Sequence, residues 1–192
     1  MTAVYLAPWR IDVTVRDRVT DAHGGRQPVA AAPLARAMAA ALDAAGAPSP
    51  GSVGLILSDD AELAELNETH LGHDGPTDVL SFPLLPPGSF PWHEGRTGSL
   101  PAPGAPGAAA AFPGPPDRRV HLGDIVISVE RAREQAEAGL GGQTGDVRWS
   151  AADELRLLAT HGVLHLCGWD HAEPVEEAAM RALEQRLLSE TR

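Results

Sequence analysis

Three histidines near the end of the chain have the spacing of a metal site. His161 and His165 lie four residues apart, and on a helix this spacing places both imidazoles on one face, one turn apart. Gly168 allows a sharp turn that can bring His171 back as a third ligand. Three imidazoles suit zinc and leave one position open for a water that ionises near neutral pH. The pattern therefore predicts a catalytic site with one Zn²⁺ per chain, held by His161, His165 and His171.

Two other interpretations of these histidines stay open. They could be hydrogen-bonded core residues without a metal, although burying three imidazoles in an aliphatic helix would require several polar partners. The spacing of HGVLHLCGWDH is also that of the metzincin proteases, which have a general-base Glu where this chain has Gly162. A protease without its base is a poor candidate, so we favour a metal-dependent hydrolase with another substrate.

The histidines lie on a segment that predicts a buried central helix. Ser150 and Asp153 form a capping-box pattern at its start, and the residues that follow are apolar on most sides. Gly168 is placed to end this helix, and Pro174 is placed to begin a final amphipathic one. A helix that is apolar on most sides belongs at the centre of a domain.

The remaining elements predict an α/β (α+β) fold. Strands are predicted at residues 10–15, 52–57, 78–82 and 120–127. Further helices are predicted over residues 34–45, after a cap at Asp59 or Asp60, and from Ser128 to Gly139. We expect one domain over residues 1–192, with a small four-stranded mixed sheet and about five helices packed around the metal-bearing helix.

Residues 84–119 differ in composition from the rest of the chain. They contain nine of the 17 prolines, six glycines and almost no β-branched residues. Such a segment cannot bury enough apolar surface to offset its conformational entropy. We therefore predict a flexible insertion between the third and fourth strands.

Composition limits the classes of function. A single cysteine, Cys167, excludes an intramolecular disulfide and a multi-cysteine zinc site. The net charge of -11 argues against broad electrostatic wrapping of nucleic acid, so RNA binding would need a local basic cleft or a protein partner. The sequence shows neither an export signal nor a membrane span, and we expect a cytoplasmic protein.

Three sequence blocks resemble the YbeY family of bacterial endoribonucleases, also described as ribosomal RNA maturation factors. The blocks are HGVLHLCGWDH, PTDVLSFP (Pro76 to Pro83) and LGDIVIS (Leu122 to Ser128), in the family's order. The resemblance implies a zinc-dependent nuclease acting on single-stranded RNA, with His161, His165 and His171 as the zinc ligands. It also implies a role in maturing the 3′ end of small-subunit (16S) ribosomal RNA and in ribosome quality control. The implied partners are ribosomal RNA and the small ribosomal subunit with its proteins, while neither DNA nor a membrane is expected.

Other residues are candidates for the chemistry around the metal. Asp170 is placed to accept the second ring N–H of His171, although GWDH is also ordinary turn sequence. Asp124 is a candidate for lining the metal cleft, with Ser128 more simply a helix cap. Many family members carry an Arg where this chain has Leu71, so positive charge must come from the metal, another Arg, or a histidine such as His70.

Four further residues are candidates for contact with RNA. Thr77 and Ser81 could hydrogen-bond a phosphate, although Pro76-Thr77 is also ordinary turn chemistry. Arg118 and Arg119 belong to the densest basic positions of the chain and could follow an RNA backbone. Leu71 and the acidic net charge leave one alternative function open, a ribosome-assembly factor that binds RNA and protein and whose zinc is structural.

Overall fold

The computed structural model describes residues 1–22, 29–96, 119–139 and 149–191. Five strands lie within these ranges: β1 (Thr2–Leu6), β2 (Trp9–Val15), β3 (Gly51–Ser58), β4 (Val79–Pro83) and β5 (Val120–Ser128). Six α-helices accompany them: α1 (Asp17–Ala22), α2 (Ala31–Ala44), α3 (Asp60–Leu71), α4 (Val129–Ala138), α5 (Ala151–Leu166) and α6 (Pro174–Glu190). Among the described helices, none is both long and apolar enough to cross a membrane.

The strands form one mixed sheet in the order β1-β2-β3-β5-β4. β2, β3 and β5 run parallel, while the edge strands β1 and β4 are antiparallel to their neighbours. The predicted α/β class with a mixed sheet is confirmed, but four strands and about five helices were too few. The prediction missed β1, most of whose side chains are exposed, and α1, a helix of only 6 residues. Neither has the apolar periodicity on which the prediction relied.

Helix α5 occupies the centre of the domain, as its apolar sequence predicts. It contacts α2, α4 and α6 as well as strands β4 and β5. The predicted capping box is present, because Ser150 Oγ accepts from the Asp153 amide at 3.2 Å and Asp153 Oδ2 accepts from the Ser150 amide at 3.1 Å. Ten of its residues are buried: Glu154, Leu155, Arg156, Leu158, Ala159, Thr160, Gly162, Val163, Leu164 and Leu166. A helix held on this many sides provides a rigid base for the side chains it carries.

Helix α3 covers the other face of the sheet. Leu63 packs there with Leu80 of β4 and Val126 of β5 in a small separate cluster. Residues alternate along a strand, so Ile125 and Ile127 of β5 point instead to the α5 side, where they belong to the main core. The two faces of β5 thus separate the surroundings of α5 from those of α3.

The first part of the predicted insertion is packed against the domain. Phe90 is buried in the main core, and Leu85 packs against that core. The Pro-rich composition of residues 84–96 is therefore compatible with local packing through a few large side chains. Residues 97–118 lie outside the described residues, and the flexibility of the insertion there stays a prediction.

Candidate active site

The end of α5 and the turn after it bring the three predicted ligands together. Gly168 has a φ of 84°, a left-handed conformation that favours glycine. Its amide donates to His165 O at 3.0 Å, and the Trp169 amide donates to Leu164 O at 3.1 Å. These bonds satisfy carbonyls at the helix end and reverse the chain. As a result, His171 returns to the face of α5 that carries the other two histidines.

The ring nitrogens of the three histidines face one another. The Nε2 atoms of His161 and His165 are 3.0 Å apart, and one nitrogen from each of the three rings lies within 4.8 Å of the others. His171 is exposed, whereas His161 and His165 are partly buried. A ligand set of three on a tetrahedral ion leaves a fourth position for a reactant. This arrangement is therefore open to solvent on the His171 side and closed by α5 on the other.

A buried carboxylate on α6 fixes the orientation of His161. Glu184 Oε1 lies 2.7 Å from His161 Nδ1, and the Glu184 side chain is only 8% exposed. The carboxylate accepts the Nδ1–H, so Nε2 presents its lone pair to the other two histidines. Glu184 was missed at the sequence level. The sequence does contain a sign of its burial, because Glu184 shares a face of α6 with the apolar residues Met180, Leu183 and Leu187, which are buried.

His165 is held in the form that binds metal. Burial, followed by the neighbouring His161 and His171, lowers the pKa of His165 to about 4. At neutral pH its imidazole is therefore uncharged, with a lone pair available for coordination. The chemistry of the set fits a borderline-soft divalent ion such as zinc, because all three donors are imidazole nitrogens and one is already fixed as the Nε2 donor by a carboxylate.

The carboxylate of Asp170 has a structural contact rather than the predicted one. It accepts from the backbone amide of His171 at 2.7 Å. We expected it to accept the ring N–H of His171; the side chain is instead held by the turn, in the manner of Asp side chains that bond their own local backbone. The amide of Asp170 in turn donates to Glu176 Oε1 at 2.9 Å. The turn that carries His171 is thus tied to the start of α6.

Gly162 permits the close packing of α5 on the sheet. A Cβ at this position would lie 2.8 Å from Ile125 Cγ2 and 3.2 Å from Ser81 Oγ. Ser81 Oγ donates to the carbonyl of Gly162 at 3.1 Å, which joins β4 to α5 directly beneath the histidines. There is no room for a glutamate side chain here, in keeping with the sequence argument against a protease. The structure gives Ser81 a role in packing β4 against α5.

A groove of about 600 Å³ runs from the histidines across the edge strand β4. It is lined by His70, Leu71, residues 77–83 and the three histidines. His70 is in edge-to-face contact with the ring of Phe82, with centroids 5.2 Å apart. Thr77 also lines the groove, and its hydroxyl lies 3.3 Å from Asp78 Oδ1. The structure therefore places the predicted residues His70 and Thr77, together with Leu71, beside the three histidines.

A second cavity, of about 450 Å³, borders His161 and His171 on the other side, between α4, α5 and α6. Its wall includes Glu184 and the buried Glu154. The carboxylate of Glu154 accepts from the indole N–H of Trp149, and burial raises the pKa of this carboxyl group. The histidines thus lie between the groove, which has both polar and apolar lining residues, and a cavity whose wall includes acidic residues.

The structure separates two other predicted residues from this site. Asp124 lies on the face of β5 opposite to Ile125, so it points away from α5, and its side chain pairs with His121 at 3.3 Å. The prediction that Asp124 lines the metal cleft is corrected accordingly. Arg119 donates to the carbonyl of Pro8 and lies 6.0 Å from the centre of the Tyr5 ring. It therefore faces the β1–β2 side of the sheet, across from the β4 edge, and Arg118 lies outside the described residues.

The fold and the site together define a class: an α/β protein with three histidines that could hold a metal ion, beside an open groove. A family model described as endoribonuclease YbeY matches residues 26–192. An endoribonuclease YbeY of Salinispora tropica is 44% identical over 153 residues, covering 79% of this chain and 82% of the relative. One of a Synechococcus species is 39% identical over 139 residues, covering 72% of this chain and 65% of the relative.

The chain belongs to the endoribonuclease YbeY family. Among solved structures, it is similar to the solution structure of TM1509 from Thermotoga maritima, with 19% identity and a TM-score of 0.49 over 94% of this chain and 88% of that one. The family model and the curated relatives confirm the resemblance inferred from the three sequence blocks.

Proposed function

We propose that this protein is a zinc-dependent endoribonuclease that cleaves single-stranded RNA. The observation that carries the proposal is the cluster of three imidazoles, with nitrogens within 4.8 Å of one another, at the end of a groove. Membership of a family whose members are named endoribonucleases supplies the type of substrate. We further propose the 3′ end of small-subunit ribosomal RNA as the target, the small subunit as the partner, and the cytoplasm as the location.

His161, His165 and His171 would hold the ion, one per chain. When bound, zinc supplies positive charge that polarises a phosphoryl oxygen and makes water nucleophilic near neutral pH. Glu184 holds His161 in the tautomer that presents Nε2, and α5 fixes the spacing of His161 and His165. The residues that line the groove orient the RNA so that a phosphodiester reaches the cluster.

The shape of the groove favours a single strand. It crosses the edge strand β4 and is lined by Phe82, Leu71 and His70, which offer apolar and ring surfaces to unstacked bases. Bases in a duplex are stacked on one another and are not free to contact such surfaces. A single strand can also bend its backbone toward the partly buried histidines, which a rigid duplex cannot do.

Cleavage of a single-stranded RNA, and of the same sequence in a duplex, tests this proposal. The single strand is expected to be cleaved much faster, and His165→Ala should abolish cleavage. His121→Ala is the matched control, because His121 is a partly exposed histidine that pairs with Asp124 away from the groove. Equal cleavage of duplex and single strand, or full activity of His165→Ala, would contradict the proposal.

A ribosome-assembly factor with a structural metal is the second candidate. The observation in its favour is that the described residues lining the groove include no arginine, so little positive charge there can hold a phosphate. Under this proposal, His165→Ala would leave association with the small subunit intact, and the wild-type protein would bind zinc without cleaving RNA. Cosedimentation with small subunits, run beside the cleavage assay, distinguishes the two functions.

A further inference from the structure

The segment from Pro87 to Gly95, at the start of the predicted insertion, packs along the turn that carries His171. We call this segment the strap. Pro87 lies against Gly168, since a Cβ added to Gly168 would lie 3.3 Å from Pro87 Cβ. Gly95 lies against the backbone of Glu176, where an added Cβ would lie 2.4 Å from the Glu176 nitrogen. The strap thus touches the beginning of the turn at Gly168 and the first residues of α6, which follow the turn.

His93, near the end of the strap, makes two specific contacts, one with the turn and one with α6. Its ring stacks on the indole of Trp169, with centroids 3.8 Å apart and an angle of 9° between the planes. Its Nε2 lies 2.7 Å from Glu176 Oε1. Both side chains are well buried, with 9% of His93 and 4% of Glu176 exposed. A buried carboxylate is stable only with hydrogen-bond partners, and among the described residues Glu176 Oε1 accepts from His93 and from the Asp170 amide.

A continuous chain of hydrogen bonds leads from His93 to the third ligand. His93 Nε2–H donates to Glu176, the same carboxylate oxygen accepts from the Asp170 amide at 2.9 Å, and the Asp170 carboxylate accepts from the His171 amide at 2.7 Å. His171 is the exposed member of the cluster and, unlike His161 and His165, is not held by α5. Its position therefore depends on the turn, and the turn depends on Glu176.

We propose that His93 is a positioning residue for the metal centre, which fixes the turn bearing His171 through its hydrogen bond to Glu176. The inference rests on the proposed metal site, and it gives the first segment of the insertion a function at that site. When His93 cannot donate, Glu176 is left as a buried carboxylate with one fewer donor, and it must recruit water or rotate. Rotation releases the Asp170 amide and, with it, the backbone that places His171.

Two substitutions at His93 separate its two contacts. His93→Phe keeps a ring that can stack on Trp169 but removes the donor, whereas the amide of His93→Gln can still donate to Glu176. We expect His93→Phe to weaken Zn²⁺ binding about tenfold, in the range for groups that orient ligands from outside the coordination shell. His93→Gln should bind zinc within about threefold of wild type. His121→Phe is the matched control and should have no effect, because it makes the same change at a histidine remote from the turn.

Zinc affinity is measured by competition with a chromophoric chelator, and the ligand geometry by the visible spectrum of the Co²⁺-loaded proteins. A displaced His171 should change the Co²⁺ spectrum of His93→Phe and leave that of His93→Gln close to wild type. If His93→Phe does not fold, Gly95→Ala tests the contact between the strap and Glu176. The Cβ of the new alanine would push the strap away from Glu176. The proposal is overturned if the folded variant tested, His93→Phe or Gly95→Ala, retains wild-type affinity and spectrum, or if His93→Gln loses as much affinity as His93→Phe. A wild-type protein that binds no zinc would instead refute the proposed function.

Discussion

Replacement of Glu184 by Gln tests how far a single buried carboxylate controls the metal centre. Glu184 Oε1 lies 2.7 Å from His161 Nδ1, and the residue is 6% exposed, so little water is present to replace it. An amide oxygen can still accept the Nδ1–H, but a charge-assisted bond of about 1.5–3 kcal/mol becomes a neutral one of about 0.5–1.5 kcal/mol. The difference of about 1–1.5 kcal/mol predicts Zn²⁺ binding that is about five- to tenfold weaker. Glu184→Ala, which removes the acceptor, should weaken binding up to about a hundredfold.

The assay is a competition titration of Zn²⁺ between the protein and a chelator at neutral pH, with folding checked by circular dichroism. Glu190→Gln is the matched control, because Glu190 is an exposed carboxylate at the end of α6 and lines neither of the two cavities beside the histidines. It should leave the affinity unchanged. A folded Glu184→Gln protein that binds zinc within twofold of wild type would show that the charge of Glu184 does not orient His161 for the metal.

Three other substitutions or reactions probe the surroundings of the centre. Gly162→Ala should lower the free energy of unfolding by about 1–2 kcal/mol in a urea titration, because the clash with Ile125 outweighs the higher helix propensity of Ala; a stabilised variant would contradict the close packing. Cys167 is 1% exposed, and burial raises its pKa to about 12, so a thiol reagent at pH 8 should label it only after unfolding; rapid labelling of the folded protein would show that α5 opens. Leu71→Arg adds a cation to the groove, and the slope of log affinity for single-stranded RNA against log salt should steepen by about 0.7; an unchanged slope would show that RNA does not pass Leu71.

The sequence predicted the parts of the site that depend on local signals. The capping box at Ser150, the spacing of His161 and His165, and the left-handed turn at Gly168 are each determined by residues a few positions apart. They are sufficient to place three imidazoles together. The bounds of β2 to β5 were likewise predicted to within one or two residues, because alternating or continuous apolar residues mark those strands locally, whereas β1 was missed.

Contacts between distant segments could not be predicted in the same way. Glu184 is 23 residues from His161 and Glu176 is 83 residues from His93, and nothing local pairs them. A Glu on the apolar face of α6 is a usable signal, since buried carboxylates need partners. The predictions for Asp124 and Arg119 required the sheet order and the orientation of alternate residues on β5. The sheet order and the orientation of residues on β5 follow from tertiary packing rather than from the spacing of residues along the chain.

Whether the three histidines hold a catalytic zinc ion is tested by restoring metal to the chelator-treated protein in measured steps. Cleavage of a single-stranded RNA is followed as Zn²⁺ is added to metal-free wild type and to His165→Ala. We predict that wild-type activity rises linearly and stops at one ion per chain, while His165→Ala stays inactive at every ratio. Activity in the fully metal-free protein, or one bound zinc per chain without any cleavage, would contradict it.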